Sequence, residues 1–120
     1  MCTYLIRTTL LLMLTLTGCA TSAHPCPAAP TMNDRLKEDI FSLPTPMRND
    51  AITNAIHNVK SCKPVHPIFG TPAEVIFADA HSRADGKYYV RFRVSALADI
   101  SLVYLVDAKG NLERAYLFAT

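Results

Sequence analysis

Asp79 and His81 are the residues in this sequence whose types and spacing come closest to catalytic chemistry. They are two positions apart in a segment with a strand-like pattern, so both side chains are expected on one face of a sheet. A carboxylate can orient an imidazole as a general base, but a hydrolase also needs a nucleophile beside them. The sequence has neither a Gly-x-Ser-x-Gly elbow nor a phosphate-binding glycine loop, and nothing selects a carboxylate pair among its ten acids. We therefore expect a protein that is not an enzyme and that uses no cofactor.

Another chemically capable residue is Cys19, which follows a short basic and apolar leader. Arg7 precedes an apolar stretch of about ten residues, too short to span a bilayer, and that stretch ends at Leu16-Thr17-Gly18-Cys19. This order of segments resembles the lipobox signal of bacterial lipoproteins. The resemblance implies that residues 1–18 are a signal peptide and that the acylated thiol of Cys19 becomes the mature N-terminus. In this family Ala20, rather than Asp, after the cysteine implies transfer to the outer membrane, with the domain on its periplasmic face.

The same resemblance leaves Cys26 and Cys62 as the remaining cysteines of the mature chain, because one of the four leaves with the signal peptide and Cys19 is acylated. A pair of thiols in an oxidising periplasm is expected to form a disulfide. The alternatives are free or intermolecular thiols, or a tetrahedral metal site completed by His24 and His66. The tight His-x-Cys spacing and the compartment favour the disulfide, so we expect no metal.

The length and net charge of the chain limit its possible domain organisation and function further. The 120 residues suffice for one small domain, and a formal net charge of +2 is too low for electrostatic binding of nucleic acid. Three proline residues in the segment that follows the leader favour an extended linker. We therefore divide the chain into the signal peptide (1–18), a lipidated cysteine with a proline-rich linker (19–30) and a single α+β periplasmic domain (31–120).

Two amphipathic helices are predicted in the first half of that domain. Thr31 is the candidate N-cap of the first, which ends before Pro44 because the residue before a proline avoids helical backbone. Thr45 is the candidate N-cap of the second, with Pro46 at its first position, and Pro64 stops it. The apolar residues at helical spacing are Met32, Leu36, Ile40 and Leu43 in the first helix, and Met47, Ala51, Ile52, Ala55, Ile56 and Val59 in the second.

Beyond Ala73 the apolar pattern changes to a period of two, which predicts strands. The four predicted strands are Glu74–His81, Lys87–Ser95, Ile100–Asp107 and Leu112–Phe118. Gly86 and Gly110 lie where the connecting turns need a positive φ. The third strand is apolar on both faces, so we expect it to be central or covered on both sides. The predicted fold is α+β, with two N-terminal helices packed on one face of a four-stranded antiparallel meander sheet.

The second strand carries the candidate partner-binding residues Lys87, Tyr89, Arg91 and Arg93, which alternate along one face. Arginine and tyrosine beside apolar residues are enriched in protein interfaces. The alternative is an ordinary solvated face on which long side-chain stems cover apolar neighbours. The edge strands also offer unpaired backbone groups to which a partner could add a strand.

Together these features predict a non-catalytic accessory module of the cell envelope, held in the bilayer through acylated Cys19 and bound to another envelope protein. Its layout resembles the small accessory lipoproteins of the barrel-assembly machinery, which also place two helices before an antiparallel sheet. The alternative function is an inhibitor or immunity lipoprotein that blocks a cell-wall hydrolase or toxin. The short predicted loops, Ser82–Gly86 and Ala96–Asp99, argue against a plug of that kind.

Overall fold

Two helices precede a four-stranded sheet in the computed structural model, which describes residues 25–95 and 99–119. The elements are α1 (Asp34–Phe41), α2 (Asp50–Cys62), β1 (Val75–Ser82), β2 (Tyr88–Val94), β3 (Ile100–Val106) and β4 (Leu112–Ala119). The strands lie in the order β1-β2-β3-β4 and every neighbouring pair is antiparallel, so the predicted α+β meander is confirmed. The predicted signal peptide, Cys19 and His24 lie outside the described residues. Within the described part, no helix has the length and apolar character to cross a membrane.

Both helices begin later than predicted. Their N-caps are Asn33 and Asn49 rather than Thr31 and Thr45. Each asparagine side chain accepts a hydrogen bond from the backbone N–H three residues onward, at 2.8 and 3.0 Å. An aspartate follows each asparagine, and its charge favours a helix N-terminus. Thr31 instead forms a parallel β-bridge with Leu117 of β4.

The helices lie on opposite faces of the sheet, so the prediction that both pack on one face is wrong. On the α2 face the main buried residues are Ile52, Ala55, Val59, Val90, Phe92, Val94, Leu102, Tyr104, Val106 and Ala115. On the α1 face they are Met32, Ile40, Tyr89, Val103, Leu105 and Phe118. The connection between the helices passes the edge of β1, where the carbonyl oxygen of Pro44 accepts a hydrogen bond from the backbone N–H of Ser82 (2.9 Å). Because α1 covers the face opposite α2, β3 is covered on both sides, as its apolar sequence predicts. Residues 101–106 are all buried.

The turn between β3 and β4 packs directly on α2. Gly110 has a φ of 90°, and a Cβ at this position would lie 2.5 Å from the carbonyl oxygen of Ala51 and 2.7 Å from the Cβ of Asn54. Asn54 and Asn58 donate hydrogen bonds to carbonyl oxygens of the turn, at 3.2 and 2.9 Å. The turn between β1 and β2 also has a glycine at positive φ, but a Cβ on Gly86 would meet no atom within 4 Å. The two predicted turn glycines are therefore confirmed, and they differ in how closely they are packed.

Asp107 organises the same turn through its carboxylate. Its Oδ1 accepts hydrogen bonds from the backbone N–H groups of Lys109 and Asn111, both at 2.9 Å, and its Oδ2 accepts one from the Asn111 side chain at 3.1 Å. Desolvation alone would raise the pKa of this carboxyl. The hydrogen bonds from Asn111, Lys109 and Gly110 outweigh it and hold the pKa below its usual value.

Asp107→Ala is expected to lower the free energy of unfolding at neutral pH by about 0.5 to 1 kcal/mol, because water competes for this partly exposed carboxylate. A carboxyl whose pKa is depressed by folding stabilises the protein above its unfolded pKa, and this contribution is lost as the pH falls through the folded pKa. The difference between the variant and the wild type should therefore shrink below about pH 4. Urea denaturation across this pH range measures it, and a difference that does not change with pH would contradict a role for the charge.

Candidate partner-binding surface

The four predicted partner-binding residues do not form one open surface. Tyr89 is buried, with 8% of its surface exposed. Lys87 and Arg91 are half-buried, and Lys87 pairs with Glu113 at 2.8 Å. Arg93 is exposed. The difference arises because α1 and the residues after it cover the part of this face that lies nearer the β1–β2 turn.

Arg91 lies between the sheet and the last residue of α1, Phe41. Its guanidinium donates two hydrogen bonds to the carboxylate of Asp79, with an Nε–Oδ1 distance of 3.1 Å and an Nη2–Oδ2 distance of 2.5 Å. Its Nη1 donates to the hydroxyl of Ser101 at 3.3 Å, and the guanidinium carbon lies 5.8 Å from the ring centroid of Phe41. Such a two-point pair is geometrically specific. Arg91 therefore acts within the fold, beneath α1.

His81 belongs to the same cluster. Its Nδ1 lies 3.1 Å from the carbonyl oxygen of Leu43, and its ring meets that of Phe41 edge-on with centroids 5.4 Å apart. Its buried Nε2 lies 3.6 Å from Oδ1 of Asp79, beyond hydrogen-bond distance. The structure thus brings Asp79 and His81 together as their spacing predicts. Ser101 accepts a hydrogen bond from Arg91, and the buried Nε2 of His81 has no hydrogen-bond partner among the described residues, so this cluster contains no hydroxyl–imidazole pair of the kind a hydrolase uses.

A β-bulge decides which way this cluster faces. The register of β1 against β2 shifts between Phe77 and Asp79. Phe77 therefore packs in the α2-face core with Phe92, whereas Asp79 lies opposite Arg91 on the α1 face. Strict alternation would have placed Phe77 and Asp79 on the same face, directing the carboxylate into an apolar core.

Cys26 and Cys62 form a disulfide, with Cα atoms 5.0 Å apart, as predicted. The bond joins the start of the described chain to the last residue of α2. Because each sulfur is bonded to the other, neither is a thiolate available to a metal. Residues 25–95 and 99–119 contain no group of three or more His, Cys, Asp or Glu side chains that could hold a metal ion.

An apolar loop, residues 64–72, follows the disulfide and leads to β1. Its outward side chains are among the most exposed large apolar groups of the described residues: Val65 at 61%, Ile68 at 61% and Phe69 at 72%. The base of the loop is closed by an antiparallel bridge between Val65 and Pro72. The backbone N–H of His66 reinforces that closure by donating to Thr71. In the sequence, this loop is indicated only by the apolar residues between Pro64 and Pro72. The prolines around them are equally typical of a helix end followed by a linker.

His66 organises the tip of the apolar loop from within. Its Nδ1 accepts hydrogen bonds from the backbone N–H groups of Ile68 and Phe69, both at 3.2 Å. Its ring stacks on that of Phe69 with centroids 4.7 Å apart, and its carbonyl oxygen accepts from Gly70 at 3.0 Å. The exposed apolar side chains therefore lie on a loop whose backbone groups form hydrogen bonds within the loop itself.

The outer edge of β1 is the second exposed apolar surface. Ile76 is 52% exposed and lies opposite the exposed Arg93 in the sheet register. Within the described residues, backbone hydrogen bonds from outside the sheet reach this edge only at Ser82. We call Ile76, Arg93 and the adjoining edge of β1, residues 75–80, the edge patch.

Comparisons with protein-family models, curated proteins and solved structures find no match to this chain. Five large apolar side chains are exposed among the described residues, and four of them lie on the apolar loop or the edge patch. The fifth, Met47, lies between the two helices, 88% exposed. Exposed apolar groups gathered beside an open strand are typical of surfaces that bind another molecule.

Proposed function

We propose that this protein is a non-catalytic module of the bacterial cell envelope that binds another envelope protein through the edge patch. In this proposal acylated Cys19 anchors it to the periplasmic face of the outer membrane. The leader ending in Leu16-Thr17-Gly18-Cys19 supports the anchor. The disulfide between Cys26 and Cys62 supports an oxidising compartment. The observation that carries the binding role is the exposure of Ile76 beside Arg93 on an open edge strand.

An edge of this kind suits strand addition by a partner. The backbone groups of an edge strand can pair with an extended segment, while side chains beside the edge determine which segment binds. Ile76 offers an apolar anchor and Arg93 a charged group that can form paired hydrogen bonds with a carboxylate. Of the four residues first predicted to bind a partner, Arg93 is the one this proposal retains at the interface.

Replacing Ile76 with Asp is expected to weaken the complex with the partner at least about tenfold, because it places a charge where the partner buries an apolar group. Arg93→Glu should weaken it similarly. Neither change should lower the melting temperature by more than a few degrees, since both side chains are exposed. The affinity is measured with the partner obtained by the cross-linking below.

A photo-reactive amino acid at position 76, introduced into the full protein in its own envelope, captures that partner. We expect one discrete adduct from position 76 and none from position 47, whose side chain is exposed at a different site. Equal adducts from both positions, or none from position 76, would overturn the proposal. Loss of folding in Ile76→Asp, measured by circular dichroism, would assign this residue to the core instead.

A further inference from the structure

We propose that the apolar loop lies in the surface of the lipid bilayer and forms a second membrane contact beside the acyl chains. This inference rests on the proposed anchor at Cys19. The exposed apolar side chains of the loop then contact the boundary between lipid headgroups and acyl chains. The argument comes from where the tether enters the domain and from what the loop presents there.

The disulfide fixes the tether and the apolar loop to the same end of the molecule. Cys19 is seven residues before Cys26 in the sequence, a stretch that spans at most about 25 Å. Cys26 is bonded to Cys62, and Val65 follows only three residues later. The opposite end of α2 is about 20 Å away along a helix of 13 residues. Of the two ends of α2, the one that carries the apolar loop is therefore the one joined to the tether, which favours its lying nearer the membrane.

The chemistry of the apolar loop suits the interface of a bilayer. Val65, Ile68 and Phe69 expose apolar side chains that lose contact with water on entry. The backbone N–H groups of the last two are already bonded to His66, so they need no water at that depth.

Two basic side chains precede the apolar loop, and one acidic side chain follows it. Exposed Lys60 and Lys63 line a cleft of about 540 Å³ at its base, together with Glu74. Lysines beside an inserted apolar segment are attracted to anionic headgroups. The excess of positive charge at this end therefore favours a lipid surface, and the tether places that surface within reach.

Tryptophan fluorescence in the full lipidated protein tests this inference directly, because the chain contains no tryptophan. Phe69→Trp places a single reporter on the apolar loop, and Met47→Trp is the matched control at the other end of α2. Each variant is reconstituted into vesicles of phosphatidylethanolamine and phosphatidylglycerol that carry brominated acyl chains. We expect a blue-shifted emission and strong quenching by bromine for Phe69→Trp, and neither for Met47→Trp. Adding Ile68→Asp to Phe69→Trp should remove most of the quenching.

The other outcomes overturn the inference in distinguishable ways. Quenching of both reporters to the same extent would show that the domain has no fixed orientation on the bilayer. A blue shift of Phe69→Trp in native envelopes but not in pure lipid vesicles would assign the apolar loop to a protein partner. Mass spectrometry of the mature protein separates the two proposals. An unacylated Cys19 contradicts the proposed anchor, whereas an acylated protein with an unquenched Phe69→Trp contradicts only the loop contact.

Discussion

Replacing Gly110 with alanine is expected to lower the melting temperature by about 20 °C, whereas the same change at Gly86 should lower it by about 10 °C. Both glycines have positive φ, at 90° and 86°, so each substitution places a Cβ in left-handed backbone at a cost of roughly 1 to 2 kcal/mol. At Gly110 the new Cβ would also lie 2.5 Å from the carbonyl oxygen of Ala51, in the backbone of α2. Relieving that overlap requires the turn and α2 to separate, which adds about 1 to 3 kcal/mol.

The comparison of the two alanine variants isolates packing from backbone strain. Thermal unfolding followed by circular dichroism gives both melting temperatures, and each kcal/mol corresponds to about 4 to 8 °C in a domain of this size. Gly86→Ala reports the backbone cost alone, since its Cβ would meet no neighbour within 4 Å. Equal effects at both positions would show that the turn does not rest on α2. Asn58→Ala, which removes a hydrogen bond to the Gly110 carbonyl, should cost about 1 kcal/mol by the same assay.

Removing the disulfide is the second large perturbation. The paired replacement Cys26→Ser and Cys62→Ser is expected to lower the free energy of unfolding by about 4 kcal/mol. The chain-entropy model assigns this value to a bond between residues 36 apart. In a small domain this is a large part of the total stability. Urea denaturation measures the change, and the melting temperature should fall by roughly 20 °C.

A reducing agent provides the control for the serine pair. The wild type should lose about as much stability in dithiothreitol as it loses through the double substitution, and the double variant should not respond to reductant. A double variant as stable as the oxidised wild type would show that the helices hold the segment near Cys26 without the bond. A double variant that still responds to reductant would assign the effect to another cysteine.

The sheet could be predicted from the sequence because its pattern is local. The alternation in residues 88–94 and the glycines of the two turns determine a meander without knowledge of distant contacts. The helix positions were predictable only approximately, since both Thr31 and Asn33 are good N-caps and the choice depends on tertiary contacts. Thr31 pairs with Leu117 of β4, and Asn33 is the residue that caps α1.

The sequence did not predict on which face of the sheet α1 packs, nor which side chains are exposed on the candidate partner-binding surface. The apolar character of both faces of β3 indicated cover on two sides, but a pattern within one strand does not show which helix provides it. The bulge between Phe77 and Asp79 is likewise invisible to a period-two analysis, although it turns Asp79 towards Arg91. Tyr89 and Arg91 are covered by a helix about fifty residues earlier in the chain. The pattern within β2 carries no information about that helix, so the sequence predicts an open face for both residues.

The pairing of residues 30–32 with β4 has a consequence for self-association. Two backbone hydrogen bonds join this segment to Leu117, which occupies part of one side of the sheet, while the opposite side is left open at residues 75–80. A sheet with two free sides can add copies of itself without limit and grow into a fibre. The pairing at Leu117 shortens the free length of that side, which disfavours such growth. The same pairing covers one end of β4, so residues 75–80 form the longer uninterrupted stretch of open strand edge among the described residues.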